Sequence, residues 1–405
     1  NTAYLLERLS QTLERLETLM AIFVSNRYLP RRILLLTGCF ARAAAERHSI
    51  SRLWKQSSGL MARSVTQNAG DHGEHYITRD KKEYWAMFYS AAGGGVLIAL
   101  MALFKTYLGS IIDDKVWKGI AEGLNYGLGF MVIFMLHFTV ATKQPAMTAA
   151  RFAEAVEKTP QGKTVNMKLA QLLVDVFRSQ SIAVLGNVLI AMGLAALIAF
   201  GYQYKTGEPL MNADQIAYQL HSIDPFAGTL WFAAIAGVWL FCSGIISGYF
   251  DNRSNYLNMR MRLAQHPLLK KLMSEKTRVK FANYMHENYG SLIGNLCFGM
   301  LLGITGVVGY LTHLPLDIRH VAFSSANVGY IAVSGQFTYS LLLQCISFVL
   351  LIGLVNLIVS FSLTLWVALR SLNAEIDSWW PIWHEVCQIV KKRPLSLFLP
   401  IQLDK

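Results

Sequence analysis

The sequence predicts an all-α, polytopic membrane protein with six spanning helices and a helical region outside the membrane. Three observations predict it: charge is scarce, six apolar stretches have spanning length, and Lys and Arg concentrate on alternate sides of those stretches. Hydrophobic residues make up 53% of the 405 and charged residues 15%, whereas a soluble domain carries roughly 25% charged residues. Crossing a hydrocarbon core takes about 20 mostly apolar residues. The stretches that qualify run over 84–104, 119–141, 181–201, 226–249, 291–311 and 339–369. Tyr84, Trp85 and Tyr89 open the first one with aromatics suited to the headgroup level. The last is long enough to tilt.

Orientation follows from the cations. Residues before the first span carry 13 Lys and Arg, the 142–180 loop 6, the 250–290 loop 8 and the 370–405 tail 5. The other three loops hold Lys105, Lys115, Lys118, Lys205 and Arg319. A bias that alternates at every crossing puts both ends and the two basic loops in the cytoplasm. It also accounts for most of the net charge of +12, which removes the main support for nucleic-acid binding.

The expected organisation is a cytosolic helical region over 1–83, the membrane domain over 84–369 and a cytosolic tail over 370–405. The chain opens on Asn1 with residues that already look helical, so we expect 1–83 to be the end of a longer N-terminal region. Leu5, Leu6, Leu9, Leu13, Leu16, Leu19, Met20 and Phe23 recur at helical spacing opposite Glu7, Arg8, Glu14, Arg15 and Glu17. That pattern is an amphipathic helix able to dock on a partner or a second copy. A second helix starts near Pro30 and runs to about Val65.

A shift of 108 positions sets Gly186-Asn187 on Gly294-Asn295 and Met192 on Met300. This suggests three repeated hairpins in parallel orientation, each starting on the same side. Gly123 and Gly127, Gly244 and Gly248, and Gly299 and Gly303 have the spacing at which helices approach closely.

Polar groups at membrane depth are costly and are therefore functional candidates. Here they are Glu122, Asn125 and His137 in the second span, Asn187 in the third, Asn295 in the fifth, and Gln344 and Asn356 in the sixth. Asn187 and Asn295 are expected to cross-link neighbouring helices as a matched pair. On the cytosolic side Arg260, Arg262, Lys270, Lys271, Lys391, Lys392 and Arg393 are expected to face anionic phospholipid, at about 1 kcal/mol each.

Chemistry of other kinds finds little support. Cys39, Cys242, Cys297, Cys345 and Cys387 form no CxxC pair. Asp71-His72-Gly73-Glu74-His75 reads as a solvated turn rather than a metal site, and Gly162-Lys163-Thr164 lacks the upstream glycine of a phosphate-binding loop. No catalytic residue, metal or cofactor is expected.

The stretch His137–Ala155, HFTVATKQPAMTAARFAEA, together with a helical region followed by several spans, resembles a family of proteobacterial inner-membrane proteins. That family carries the label "site-specific recombinase", of the gonococcal-recombinase type. The label implies DNA strand exchange, yet no His is followed three positions later by Arg, as a tyrosine recombinase requires, and the opening residues are a leucine-rich helix where a serine recombinase has its nucleophile.

The leading expectation is a non-enzymatic inner-membrane protein that binds or handles lipids or envelope partners. The alternative is a small-solute transporter or channel, whose polar path would be lined by Glu122, His137 and Asn356. A DNA-associated role ranks last. The topology is checked by reporter fusions: a cytoplasmic reporter joined after Lys270 or Lys391 is expected to be active and a periplasmic one silent, with the opposite result refuting the orientation.

Overall fold

A computed structural model describes residues 77–399 apart from 79, 142–147, 150, 151, 154, 157–162, 335, 336 and 372–377, together with scattered positions before Ala41 and Ala41 itself. The chain forms two compact units, Asn1–Gly59 and Leu60–Lys405. In the first, Leu9, Leu13, Leu16 and Met20 are helical and exposed, a stripe of the expected amphipathic helix. Leu34, Thr37, Gly38 and Ala41, in the stretch expected to form the second helix, are helical too; from Ala41 to Ile77 the intervening residues lie outside the described ones. The Asp71–His75 turn is among the residues not described.

The regular elements described in the second unit are helical. They are α1 (Lys81–Ile111), α2 (Lys115–Met135), α3 (Lys163–Thr206), α4 (Ala213–Ile223), α5 (Thr229–Tyr256), α6 (Met259–Gln265), α7 (Pro267–Leu272), α8 (Glu275–Thr312), α9 (Val321–Ala332), α10 (Tyr339–Ser371) and α11 (Trp380–Lys392). Local chemistry sets their starts. The Asp80 side chain accepts from the Glu83 N–H at 2.7 Å, and Asp114 accepts from the Val116 and Trp117 N–H groups. Asn212 and Gln215 form a reciprocal capping box at the start of α4.

Five helices, α1, α3, α5, α8 and α10, are long and apolar enough to cross a membrane. Their outward side chains, such as Leu197, Phe200, Leu354 and Trp366, are exposed and apolar, as lipid-facing surfaces are. The remaining expected span, the second, coincides with α2. Its 21 residues include Lys118, Glu122 and Asn125, which lower its hydropathy below that of the other five. The long helices also overrun the expected spans: α3 begins at Lys163 and α8 at Glu275, so much of the two basic loops is helix. The tail likewise folds into α11, and the Tyr84 hydroxyl donates to the Phe398 carbonyl at 2.8 Å.

Packing departs from three sequential hairpins. The main partners are α2 with α8, α1 with α3, α5 with α8, α9 with α3, and α5 with α10. The first of these rests on glycine. A Cβ placed on Gly303 would overlap the backbone of Gly123, and one on Gly299 that of Gly127, so the antiparallel helices meet backbone to backbone.

A larger correction concerns the segment between the fifth and sixth spans, which the sequence reading took for a simple loop. Its residues 321–332 are α9, whose apolar face and small polar side chains are buried against α3, α10 and α1. Twelve residues are too few to cross a bilayer but suit a re-entrant or core helix. His320, just before α9, contacts the rings of Phe130 on α2 and Phe298 on α8. Phe130 lies 15 residues into α2, about 22 Å at 1.5 Å per residue. The chain therefore dips deep into the bundle before returning as α9.

Two asparagines hold the breaks. Asn187 on α3 accepts from the Ala141 N–H at 2.8 Å and donates to the carbonyls of Ala91 on α1 (2.5 Å) and Thr139 (2.9 Å). Asn356 on α10 accepts from the Val321 N–H at 3.1 Å and donates to the carbonyls of Ala233 on α5 (2.7 Å) and Arg319 (3.0 Å). The matched pair is thus Asn187 with Asn356. Asn295, expected to match Asn187, donates instead to Ser291 of its own helix.

Losing either staple strands one backbone N–H and two carbonyls, so Asn187→Ala and Asn356→Ala are each expected to destabilise by about 1–3 kcal/mol. Thermal unfolding of the purified variants in detergent checks this; an unfolding midpoint unchanged by both substitutions would contradict it.

Candidate functional site

An open cavity of about 460 Å³ lies at the end of the bundle opposite the basic loops. It is walled by the end of α1, the start of α2, α4, residues 317–320 and the start of α9. Three cations, Lys105, Lys118 and Arg319, and three carboxylates, Glu122, Asp214 and Asp317, line it. Three of the five cations on this face of the chain therefore converge on one site.

Glu122, a sequence candidate, is 14% exposed and lies 3.4 Å from the Lys105 ammonium, which is 39% exposed. Beneath them is Tyr126, whose ring centre is 5.7 Å from the ammonium. Arg319 is held more tightly. Its guanidinium donates to Asp317 at 2.6 Å and to the Ser222 carbonyl at 2.8 Å, and it lies over the Phe232 ring at 5.4 Å. Lys118 and Asp214 form no ion pair among the described residues.

An aromatic layer closes the inner end. Phe323 is 4.5 Å from Tyr126 and 5.9 Å from Phe130 between ring centres, and Phe130 is 5.0 Å from Phe298. His320, 1% exposed, sits among Phe130, Phe298 and Phe323.

The other sequence candidates are scattered. Asn125 donates to the Met101 carbonyl at 2.9 Å, tying α2 to α1. His137 is exposed just past α2 with a left-handed φ of 57°. Gln344 is exposed near the start of α10. Asn356 is fully buried and engaged in its staple. Glu122 lines the cavity, whereas His137 and Asn356 do not. Arg260, Arg262, Lys270, Lys271, Lys391 and Lys392 are exposed and Arg393 half-buried. Sequence reasoning missed Asp317, His320 and the pairing role of Lys105, although Arg319-His320 directly precedes the mostly apolar segment 321–332.

A second feature is an apolar groove of about 490 Å³ between α3 and α10, lined by Ile182, Leu185, Leu350 and Leu354 and bounded by Tyr84 and Phe398.

A family model described as "Site-specific recombinase" matches residues 1–400. The chain belongs to that family. No curated protein and no solved structure matches it. In this member of the site-specific recombinase family the segment 137–155 contains Thr139 and Ala141, the backbone groups that Asn187 binds. Helical, fully buried Thr148, Ala149, Phe152 and Ala153 follow in the same stretch. The recombinase-family name attaches to a chain whose described residues hold no group of three or more His, Cys, Asp or Glu able to bind a metal.

Proposed function

We propose that this family member is a six-span inner-membrane transporter for a small polar solute, with both ends in the cytoplasm and the charged cavity open to the periplasm. The observation that carries the reading is the cavity itself: a cluster of balanced charges that penetrates between helices and stops at an aromatic layer. A permanently open pore would continue through that layer, whereas a transporter caught facing one side would not.

The internal relations of the bundle support it. Gly119, Gly123 and Gly129 shift by 180 positions to Gly299, Gly303 and Gly309, and the same shift takes Thr139 to Arg319 and Ala141 to Val321. A shift of 142 takes Ala91 and Gly95 to Ala233 and Gly237, and the two asparagine staples use corresponding groups. We read α1-α2-α3 and α5-α8-α10 as two units that enter from opposite sides, an inverted repeat in place of the three parallel hairpins. Inverted units with broken helices near the midplane are the arrangement by which one site alternates between two faces.

A lipid-handling role is the second reading. The α3–α10 groove favours it, as do exposed Trp380 and Trp383 beside Lys391 and Lys392 on α11, an interfacial pattern. Strand exchange on DNA is disfavoured: the exposed cations of α6 and α7 are interleaved with exposed Met261, Leu268 and Leu272, which suits a membrane surface, and the sequence lacks the His-x-x-Arg pair.

Alternation is tested with Ser324→Cys, at the cavity floor, in a background whose native cysteines are serine. A membrane-impermeant maleimide is expected to label it from the periplasmic face and, in inverted vesicles, from the cytoplasmic face. Labelling from one face only would overturn transport. For the lipid reading, Leu185→Trp with Leu354→Trp should fill the groove and lower the phospholipid retained in native mass spectrometry; unchanged retention would remove the groove from consideration.

A further inference from the structure

The charges of the cavity point to the class of ligand it takes. In a chain with few charges on this face, three cations and three carboxylates line one space of about 460 Å³, within the range of small-molecule sites. A site for an anion alone would leave its carboxylates repelling the ligand, and a site for a cation alone would do the same with its lysines. Both penalties vanish for a ligand that carries both signs.

The two ion pairs differ in how free they are. Arg319 is committed to Asp317 and a backbone carbonyl, at 2.6 and 2.8 Å. The Lys105–Glu122 separation of 3.4 Å is longer than the roughly 2.7–2.9 Å of a tight charge-assisted hydrogen bond. A ligand carrying both signs can enter between the two groups and give each a new partner in place of the one it loses. Lys118 and Asp214 add a cation and a carboxylate with no ion-pair partner among the described residues. Ser324 and Asn327 on α9 supply neutral polar groups, and Tyr126 and Phe323 an aromatic wall.

We infer that the cavity binds a small zwitterion by insertion into the Lys105–Glu122 pair, its ammonium on Glu122 and its anionic group on Lys105. The same chemistry occurs in a free amino acid and in the headgroup of a zwitterionic phospholipid. The inference rests on the cavity proposed above as the transport site and names what enters it.

The test uses the full chain in nanodiscs of phosphatidylglycerol, following the unfolding midpoint as probe is added. L-Alanine and phosphorylethanolamine carry both charges; ethanolamine and inorganic phosphate carry one sign each. At least one zwitterion is expected to raise the midpoint in a saturable way, with the single-sign probes inert. Glu122→Gln and Lys105→Gln are each expected to weaken that response by about tenfold or more. If phosphatidylethanolamine in the nanodisc abolishes the response, the headgroup is the natural source; if it has no effect, the source is a free solute. Silence from both zwitterions, an equal response to ethanolamine or phosphate, or unaltered affinity in both variants would overturn the inference. Binding of a zwitterion with Ser324→Cys labelled from one face alone would sink transport while leaving the ligand class standing, and labelling from both faces with no zwitterion bound would do the reverse.

Discussion

A backbone N–H or carbonyl without a partner cannot be left in hydrocarbon, and this bundle interrupts its helices twice where water is scarce. Asn187 and Asn356 supply the missing partners. Each side chain uses one oxygen and one amide group to satisfy three backbone groups on two separate elements. The arrangement allows residues 139–141 and 319–321 to leave helical geometry inside the protein. Without it, α9 could not start at depth, and the floor of the charged cavity would not exist.

The glycine contact between α2 and α8 has the complementary role. With no side chains between Gly123 and Gly303, or between Gly127 and Gly299, these helices pack at the distance of their backbones. Close approach places Phe130 and Phe298 side by side under His320. The aromatic layer that ends the cavity is thus a consequence of small residues elsewhere on the same helices. Packing of this kind relies on van der Waals contact because lipid offers helices no hydrophobic drive to associate.

Charge is distributed by two different rules. On the basic side, exposed Arg260, Arg262, Lys270, Lys271, Lys391 and Lys392 sit near exposed apolar and aromatic residues, an arrangement suited to an anionic leaflet. On the opposite side Lys105 and Arg319 are drawn inward and paired with Glu122 and Asp317. Isolated charges near the membrane are expensive, and pairing them in an aqueous cavity lowers that cost. The family name explains neither distribution.

Helical class, the positions of the apolar stretches and the uneven placement of Lys and Arg were legible in the sequence, because each is a sum over neighbouring residues and needs no knowledge of contacts. Glu122 was legible too, as a carboxylate in an apolar run. The identity of its partner was not, since Lys105 belongs to a different helix. Nor was the pairing of Asn187 with Asn356: their acceptors Ala91 and Ala233 lie 96 and 123 residues away, and the shift of 108 favoured Asn295 on local resemblance alone. The burial of α9 was decided by the surrounding helices, because a short, mostly apolar segment with two serines and an asparagine is equally compatible with a surface loop until other elements enclose it. Sequence by itself determined what would partition into a membrane; tertiary structure decided which polar groups could meet inside it.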